Sequence, residues 1–455
     1  MTFEFTDMTT SITSLLHLSR LPAVAVALTL GAATGAAPAL AAPGWTASWQ
    51  ASPQPVWGED FLFPVNLPPT LRDQTVRQVA RLSLGGPRLR IMLSNQYGTA
   101  PVTVGTTTLA LPDAALPADS GAVVASSVRP VTFGGREQAT IAPGASLVSD
   151  PVVLAVPALA QVVVSFYLPA ATPMTTFHWD GRQTGWIAAG DQAAATALAT
   201  TGAQRTTARP LLSAIAVETD CAAPAVAVAV LGDSITDGAT ASLDADHRWP
   251  DFLAARLAPH GMAVVNAGIS GARLLSDGMG VNALARLERD VLAQPGVRTA
   301  IVMLGINDIA WPGTAFARHA QRPTVDQLTA GYRQLVAQAH ARGVRVIGTT
   351  LTPFEGALAG TPLADYYSPD KDAVRVQLNE QIRAGDIFDA VIDFDAVLRD
   401  PAHPGRMAPR YDSGDHLHAG DEGNRAMAES VDLRSLWPAA GDGHGTSPGK
   451  TAPLR

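Results

Sequence analysis

The hydrophobic rhythm of the chain changes near residue 220, and that change limits the folds open to it. From about Trp45 to about Asp220, short runs alternate apolar and polar residues, as in Arg88-Leu89-Arg90-Ile91-Met92-Leu93, Val102-Thr103-Val104-Gly105-Thr106-Thr107-Thr108-Leu109 and Gln161-Val162-Val163-Val164-Ser165-Phe166-Tyr167-Leu168. Gly, Pro and Asn punctuate these runs, and helical periodicity is nearly absent. Period two bounded by turn residues predicts β-strands, hence an all-β, sandwich-like accessory domain over residues 42–222. From about Pro224 to Trp437 the pattern differs. Short β-branched or Ala/Val runs at 225–231, 262–266, 299–304, 344–350 and 389–394 alternate with amphipathic stretches at 249–260, 281–293, 324–342, 370–384 and 421–436. Such βαβ alternation predicts a parallel sheet with helices on both faces over residues 223–438, because parallel strands need crossover connections. Neither region repeats at a fixed period.

The ends read differently. Arg20 precedes the apolar run Leu21 to Leu30, and small residues lead to Ala39-Leu40-Ala41, an A-x-A cleavage pattern. This predicts a signal peptide over 1–41, a mature start at Ala42, and a secreted or periplasmic protein. The acidic stretch Met1 to Asp7 is unusual for a signal, which leaves Met8 open as the initiator. A membrane anchor is the alternative reading, but the apolar run is about half of the roughly 20 residues a span needs. The tail, 439–455, is rich in Gly, Pro, Ser and Thr and is expected to be disordered. A single cysteine, Cys221, excludes an internal disulfide framework and a Cys-rich zinc site; at the expected domain junction it reads as a buried or linker thiol. With 32 Lys+Arg against 40 Asp+Glu and no basic block, nucleic acid and anionic membranes are poor partners. The chain is 47% hydrophobic, which excludes disorder of the whole.

Four polar motifs carry the chemistry. The first strand of the α/β region, Ala225 to Leu231, runs into Gly232-Asp233-Ser234-Ile235-Thr236-Asp237-Gly238. Open α/β sheets bind ligands at the carboxyl ends of their strands, so Ser234 would point into that crevice. A serine there also serves as a helix cap. Thr236 stands where a nucleophile elbow needs its second glycine, so this is not an ordinary α/β-hydrolase. Asp415-His416-Leu417-His418 can supply the base a serine nucleophile needs, with a carboxylate to fix the imidazole tautomer. His416 is a candidate by adjacency; the three-residue offset favours His418, whose Nδ1 can fold back onto Asp415. Asn266-Ala267-Gly268-Ile269-Ser270-Gly271 and Leu304-Gly305-Ile306-Asn307-Asp308 follow the next two strands. The backbone N–H groups of Ser234 and Gly271 and the amide of Asn307 would together offer three donors to a developing oxyanion. Gly271 and Asn307 taken singly are better explained as turn formers; the four motifs together are hard to attribute to chance.

In this order, G-D-S, I-S-G, G-x-N-D and D-x-x-H, the motifs resemble the SGNH (GDSL-type) serine esterase and lipase superfamily, over roughly residues 225–437. The resemblance implies a flavodoxin-like three-layer α/β/α fold and ester hydrolysis without a cofactor or metal. It implies Ser234 as nucleophile, Asp415 and His418 as the rest of a triad, and Ser234, Gly271 and Asn307 as oxyanion donors, with Asp233 and Asp308 in support. Proline often follows the family's histidine; Ala419 stands there instead, with consequences for loop stiffness alone. Arg248-Trp249-Pro250-Asp251 and Leu93-Ser94-Asn95-Gln96-Tyr97-Gly98 resemble a branch with a β-rich N-terminal domain, acetyl-xylan-esterase-like.

Other readings compete. Asp233, Asn307, Asp308, Asp415, His416 and His418 are metal-capable types, which raises a metallophosphatase, yet no dense ligand motif is present. His444 to Thr451 nearly spells a phosphate-binding loop but follows no strand. The β region could be a carbohydrate-binding or adhesion module beside a degenerate hydrolase, with Trp45, Trp49, Trp57, Trp179 and Trp186 stacking on sugars. His178-Trp179-Asp180 could instead approach the rim of the site. The expected partner is a small-molecule or polysaccharide ester, with short acyl groups such as acetyl on carbohydrate favoured; transfer to a sugar hydroxyl in place of water is the further alternative. Acyl length and oligomeric state are not legible.

Overall fold

The computed structural model describes residues 44–117, 120–199, 202–220 and 225–437. The expected signal peptide, Cys221, and the tail with its His444–Thr451 run lie outside the described residues.

Two antiparallel sheets dominate the N-terminal region. In one, Gly44–Gln50, Leu212–Thr219 and Gly86–Ser94 lie side by side, and Ser146–Val148 and Val152–Val156 both pair with Gly86–Ser94. The other runs Gln204–Thr206, Gly185–Ala189, Gln74–Arg81, Gln161–Leu168, Thr107–Ala110 and Arg129–Pro130. Leu89, Ile91 and Leu93 alternate inward from the first sheet and share a core with Val76, Ala80, Val162, Val164 and Phe166 of the second. Gln161–Leu168 is buried on both faces, because Val163 packs into a separate cluster with Val79, Ala110 and Trp186. The run 102–109, expected as one strand, is two: Gly105 and Thr106 break it, and Val102–Val104 and Thr107–Ala110 join different sheets.

The C-terminal region is a parallel sheet of β1 (Val226–Gly232), β2 (Met262–Gly268), β3 (Val297–Met303), β4 (Arg345–Thr349) and β5 (Ala390–Ile392), in the order 2-1-3-4-5. This is the flavodoxin-like order, whose reversal between β1 and β3 opens a crevice at the strands' carboxyl ends. The helices are α1 (Ser234–Asp237), α2 (Trp249–Leu257), α3 (Ala283–Leu287), α4 (Ile306–Ala310), α5 (Val325–His340), α6 (Pro369–Arg383), α7 (Phe394–Leu398) and α8 (Asp421–Ser430). Their starts are written in the sequence. A capping box of Thr324 and Gln327 opens α5, and Ser368 caps α6 ahead of Pro369.

Alternate residues of β1 face opposite cores. Ala227, Ala229 and Leu231 pack with Leu287, Tyr332, Leu335 and Leu378 from α3, α5 and α6. Val228 and Val230 pack with Trp249, Leu253, Phe394 and Met427 from α2, α7 and α8. The result is three layers. The first of these cores is continuous with that of the β-rich region, through Ala47 and Trp49. Polar contacts reinforce the join: Ala47 N–H donates to Pro295 O (2.8 Å), Gln50 Nε2 to Asp290 O (2.9 Å) and Val264 N–H to Ser83 Oγ (3.1 Å).

Candidate active site

Strand β1 ends at Gly232, and Asp233 caps α1 by accepting from the Ile235 N–H at 3.0 Å. That turn leaves Ser234 at the first helical position, where the N–H has no intrahelical acceptor. The Ser234 hydroxyl lies 2.8 Å from His418 Nε2, and His418 Nδ1 lies 2.6 Å from Asp415 Oδ2. The structure thus brings together three residues that are 184 and 3 positions apart in pairs. Asp415 Oδ1 also accepts from the N–H groups of Leu417 (2.9 Å) and His418 (2.8 Å). Burial opposes ionisation of Asp415, but the His418 hydrogen bond and charge and these backbone donors hold its carboxyl well below the usual carboxylate range. It is therefore ionised wherever His418 Nδ1 needs an acceptor.

His416 takes another partner. Its Nδ1 bonds Asp412, its backbone has φ +61°, and half of its side chain is exposed. The missing proline after His418 is offset by hydrogen bonds. Ser413 N–H donates to His418 O (3.1 Å), and Ala419 O accepts from Asn424 Nδ2 (2.9 Å) and Thr240 Oγ1 (3.2 Å).

Gly271 follows β2 and Asn307 opens α4 after β3, so both stand at carboxyl ends beside β1. Gly271 has φ +69°, and a Cβ there would come within 2.7 Å of the Trp311 ring and 2.8 Å of Met279. Only glycine fits both the angle and the space. Among the described residues no acceptor is paired with its N–H. Asn307 Nδ2 donates to Ala272 O at 3.0 Å, next to Gly271, and Asn307 Oδ1 accepts from the Tyr366 hydroxyl at 2.7 Å. Asp308 accepts from Leu274 N–H (2.7 Å) and Leu275 N–H (3.0 Å), tying the loop after Gly271 to α4. Burial pushes the Asp308 carboxyl up to about 6 and that of Asp233 up to about 7. No acceptor or donor meets the second oxygen of Asp233 among the described residues.

No group of three or more His, Cys, Asp or Glu side chains among the described residues is placed to hold a metal ion.

Arg286 and Tyr366 of this neighbourhood carry no motif, whereas His178 belongs to the run read as approaching the rim of the site. Arg286, fully buried against Asp290, donates to Ala267 O (2.7 Å) and Gly232 O (3.0 Å) and so holds the ends of β1 and β2. Tyr366 comes from a short turn between β4 and α6. His178, from the β-rich region, lies 2.9 Å from Asp237 Oδ1 at the end of α1. The tryptophans singled out for sugar stacking are largely packed. Trp49 and Trp186 are buried, Arg90 covers Trp45, and Trp57 and Trp179 pack against Phe61, Phe63 and Phe177.

Residues 230–426 match the family of GDSL-like lipases and acylhydrolases. This stretch is an SGNH/GDSL-type ester hydrolase domain. A distinct β-rich region precedes the hydrolase domain. Solved structures similar to this chain include an aryl esterase from M. smegmatis (19% identity, 47% of this chain and 100% of that chain covered, TM-score 0.37). A GDSL-like lipase from Bacteroides thetaiotaomicron is 18% identical over 46% of this chain and 87% of its own, with TM-score 0.34. A catalytic mutant of an acetylxylan esterase from Geobacillus stearothermophilus is 22% identical over 46% and 94%, with TM-score 0.33. A search of the curated proteins finds no match. Among the described residues of the hydrolase and its β-rich region, no helix is long and apolar enough to cross a membrane.

Proposed function

We propose that this protein is a secreted serine esterase that removes short acyl groups, acetyl on carbohydrate foremost, through an acyl-enzyme on Ser234. The observation that carries the reading is the unbroken line Ser234 Oγ, His418 Nε2, His418 Nδ1, Asp415 Oδ2, with steps of 2.8 and 2.6 Å. With Nδ1–H donated to Asp415, the Nε2 lone pair faces the serine hydroxyl. His418 takes that proton as Oγ attacks the ester carbonyl. The N–H groups of Ser234 and Gly271 and the second amide hydrogen of Asn307 receive the negative charge that builds on the carbonyl oxygen. His418 then protonates the leaving alkoxide, the acyl group remains on Oγ, and water repeats the sequence to release the carboxylic acid. Asp233 and Asp308 support the turn and the loop on which these donors sit. The reading of short acyl groups on carbohydrate rests on the secretion pattern and on the motif branch, and is the part that substrate profiling decides.

The test is a fluorophosphonate probe on the intact protein. Ser234 should be labelled, Ser234→Ala should not be, and the variant should lose nitrophenyl acetate hydrolysis while melting close to the parent temperature. A nitrophenyl ester series from acetate upward, run beside acetate release from acetyl-xylan, should show rates falling with chain length. A parent protein left unlabelled, or a Ser234→Ala variant that keeps its activity, ends the nucleophile assignment.

A further inference from the structure

We propose that His178 is a positioning residue for the oxyanion loop: the β-rich region reaches through it to Asp237 and, by way of Asp237, fixes Ser270 and the adjoining Gly271 N–H. This rests on the reading of Ser234 and Gly271 just given.

One carboxylate joins the two loops. Asp237 ends α1, the turn that carries Ser234, and its Oδ2 accepts from both the N–H (3.0 Å) and the hydroxyl (2.9 Å) of Ser270. Ser270 immediately precedes Gly271. The spacing between the Ser234 turn and the Gly271 N–H, across which a tetrahedral intermediate must fit, is thus tied by this side chain, beside the Ile269 N–H donating to Gly232 O (3.1 Å). The close approach is built in, since a Cβ on Gly268 would come within 2.5 Å of the Asp237 backbone nitrogen.

The other oxygen of that carboxylate belongs to the β-rich region. His178 Nε2 lies 2.9 Å from Asp237 Oδ1, and His178 Nδ1 lies 3.1 Å from the carbonyl oxygen of Ser52. A carbonyl and a carboxylate are both acceptors, so each ring nitrogen of His178 faces an acceptor. His178, Asp237 and Ser270 are each no more than 4% exposed, so water does not substitute for a lost donor without opening the packing. The grip is doubled further along the same loop. Gln54 pairs with Phe177 between short strands, accepts from Trp179 N–H (2.9 Å), and donates from Nε2 to Met279 O (2.8 Å). Met279 is one of the residues that a Cβ on Gly271 would meet. Segments 52–54 and 178–179 therefore hold the loop on both sides of Gly271.

A purely cohesive contact would add stability and leave turnover per folded molecule alone. A positioning contact alters turnover, because oxyanion donors act only within a narrow geometry and small misplacements near the chemistry cost up to about a hundredfold. The experiment compares His178→Phe, His178→Gln and His178→Asn with Gln161→Ala. Gln161 makes a cross-region hydrogen bond to Asp246 (2.8 Å) and, among the described residues, bonds none of this loop. The full chain is used, with kcat and KM for nitrophenyl acetate, the fluorophosphonate labelling rate and Tm as readouts. His178→Phe should lower kcat and the labelling rate together, by about ten- to a hundredfold, with KM within about twofold. His178→Gln keeps a donor towards Asp237 and should recover much of kcat, whereas His178→Asn, whose donor sits on the Ser52 side, should not. Gln161→Ala should lower Tm with kcat intact. If His178→Phe does not fold, the order of the Gln and Asn variants decides. Unchanged kcat in His178→Phe, or equal kcat in the Gln and Asn variants, overturns the proposal. Labelling of Ser234 in the parent protein is scored first: its absence removes the esterase reading and this inference with it, while its presence confines any failure to His178.

Discussion

Asn307 can serve an oxyanion only if its amide is held the right way round, and Tyr366 is the group that holds it. The Tyr366 hydroxyl donates to Asn307 Oδ1 at 2.7 Å, and one amide hydrogen goes to Ala272 O at 3.0 Å, which leaves the second hydrogen with a fixed direction. Burial, followed by the charges of Asp233, Asp415 and Asp308, pushes the Tyr366 hydroxyl far above its ordinary range, so it remains a donor at any working pH. Tyr366→Phe strands a buried acceptor at a cost of about 1–3 kcal/mol. Turning the amide over would set its oxygen against Ala272 O, so the amide instead tilts on that bond and aims its second hydrogen away from the oxyanion. Losing one oxyanion donor outright costs about 2.7–4 kcal/mol of barrier, or about 10²–10³ in kcat. Tyr366→Phe should therefore lower kcat by about 5- to 100-fold, bounded by the loss in Asn307→Ala, with KM nearly unchanged. The decisive measurement is the double-mutant cycle on nitrophenyl acetate. Tyr366 acts through Asn307, so Tyr366→Phe should add less than about 0.5 kcal/mol in the Asn307→Ala background. If the two losses simply add, or if Tyr366→Phe leaves kcat where it was, the orientation argument is wrong.

Two further outcomes follow from the same geometry. Burial raises the Asp233 carboxyl from 3.8 to about 7, so between those values the folded protein holds a proton that the unfolded chain has lost, and stability from this group falls as pH rises. Asp233→Asn has no such proton, and relative to the parent it should gain about 2 kcal/mol between pH 5 and pH 7; parallel curves of Tm against pH for the two proteins would show that Asp233 does not titrate there. A fragment starting at Ala225 exposes the face that Ala47 and Trp49 cover and loses the His178 and Gln54 contacts. It should be poorly soluble or inactive, and a monomeric fragment with parental kcat by gel filtration and ester assay would contradict the shared core.

What the sequence made legible is what lies close together in the chain. The strands and helices of the parallel sheet follow from period and caps, because each is specified within a dozen residues. The polar motifs stand out because the crevice chemistry falls at the ends of buried strands. His418 rather than His416 is favoured by a three-residue offset, and the backbone N–H of His418 donating to Asp415 Oδ1 is the local reason it turns inward. The pairings that pattern did not disclose work across distance. His178 and Asp237 are 59 positions apart, as are Asn307 and Tyr366, and Arg286 reaches carbonyls 19 and 54 positions away. An isolated buried His, Tyr or Arg looks the same in sequence whether it satisfies a core carbonyl or steadies a reacting group. The strand order of the β-rich sheets was hidden for the same reason, since nothing local tells Gly44–Gln50 to lie beside Leu212–Thr219.

These long-range bonds also explain how so small a set of reacting groups keeps its shape without disulfides among the described residues. Ser234 and Gly271 sit on turns, elements that fray first when few apolar contacts hold them. Each turn is instead fastened to something rigid: α1 to β2 through Asn266 Nδ2 donating to Thr236 O (2.8 Å), and the Gly271 loop to α4 through Asp308. The distance between the two turns is held by Asp237 together with the Ile269 N–H donating to Gly232 O (3.1 Å). The hydrolase domain meets one oxygen of the Asp237 carboxylate, at Ser270, and the β-rich region meets the other, at His178. If His178 positions the Gly271 loop as proposed, that region acts on the site by geometry.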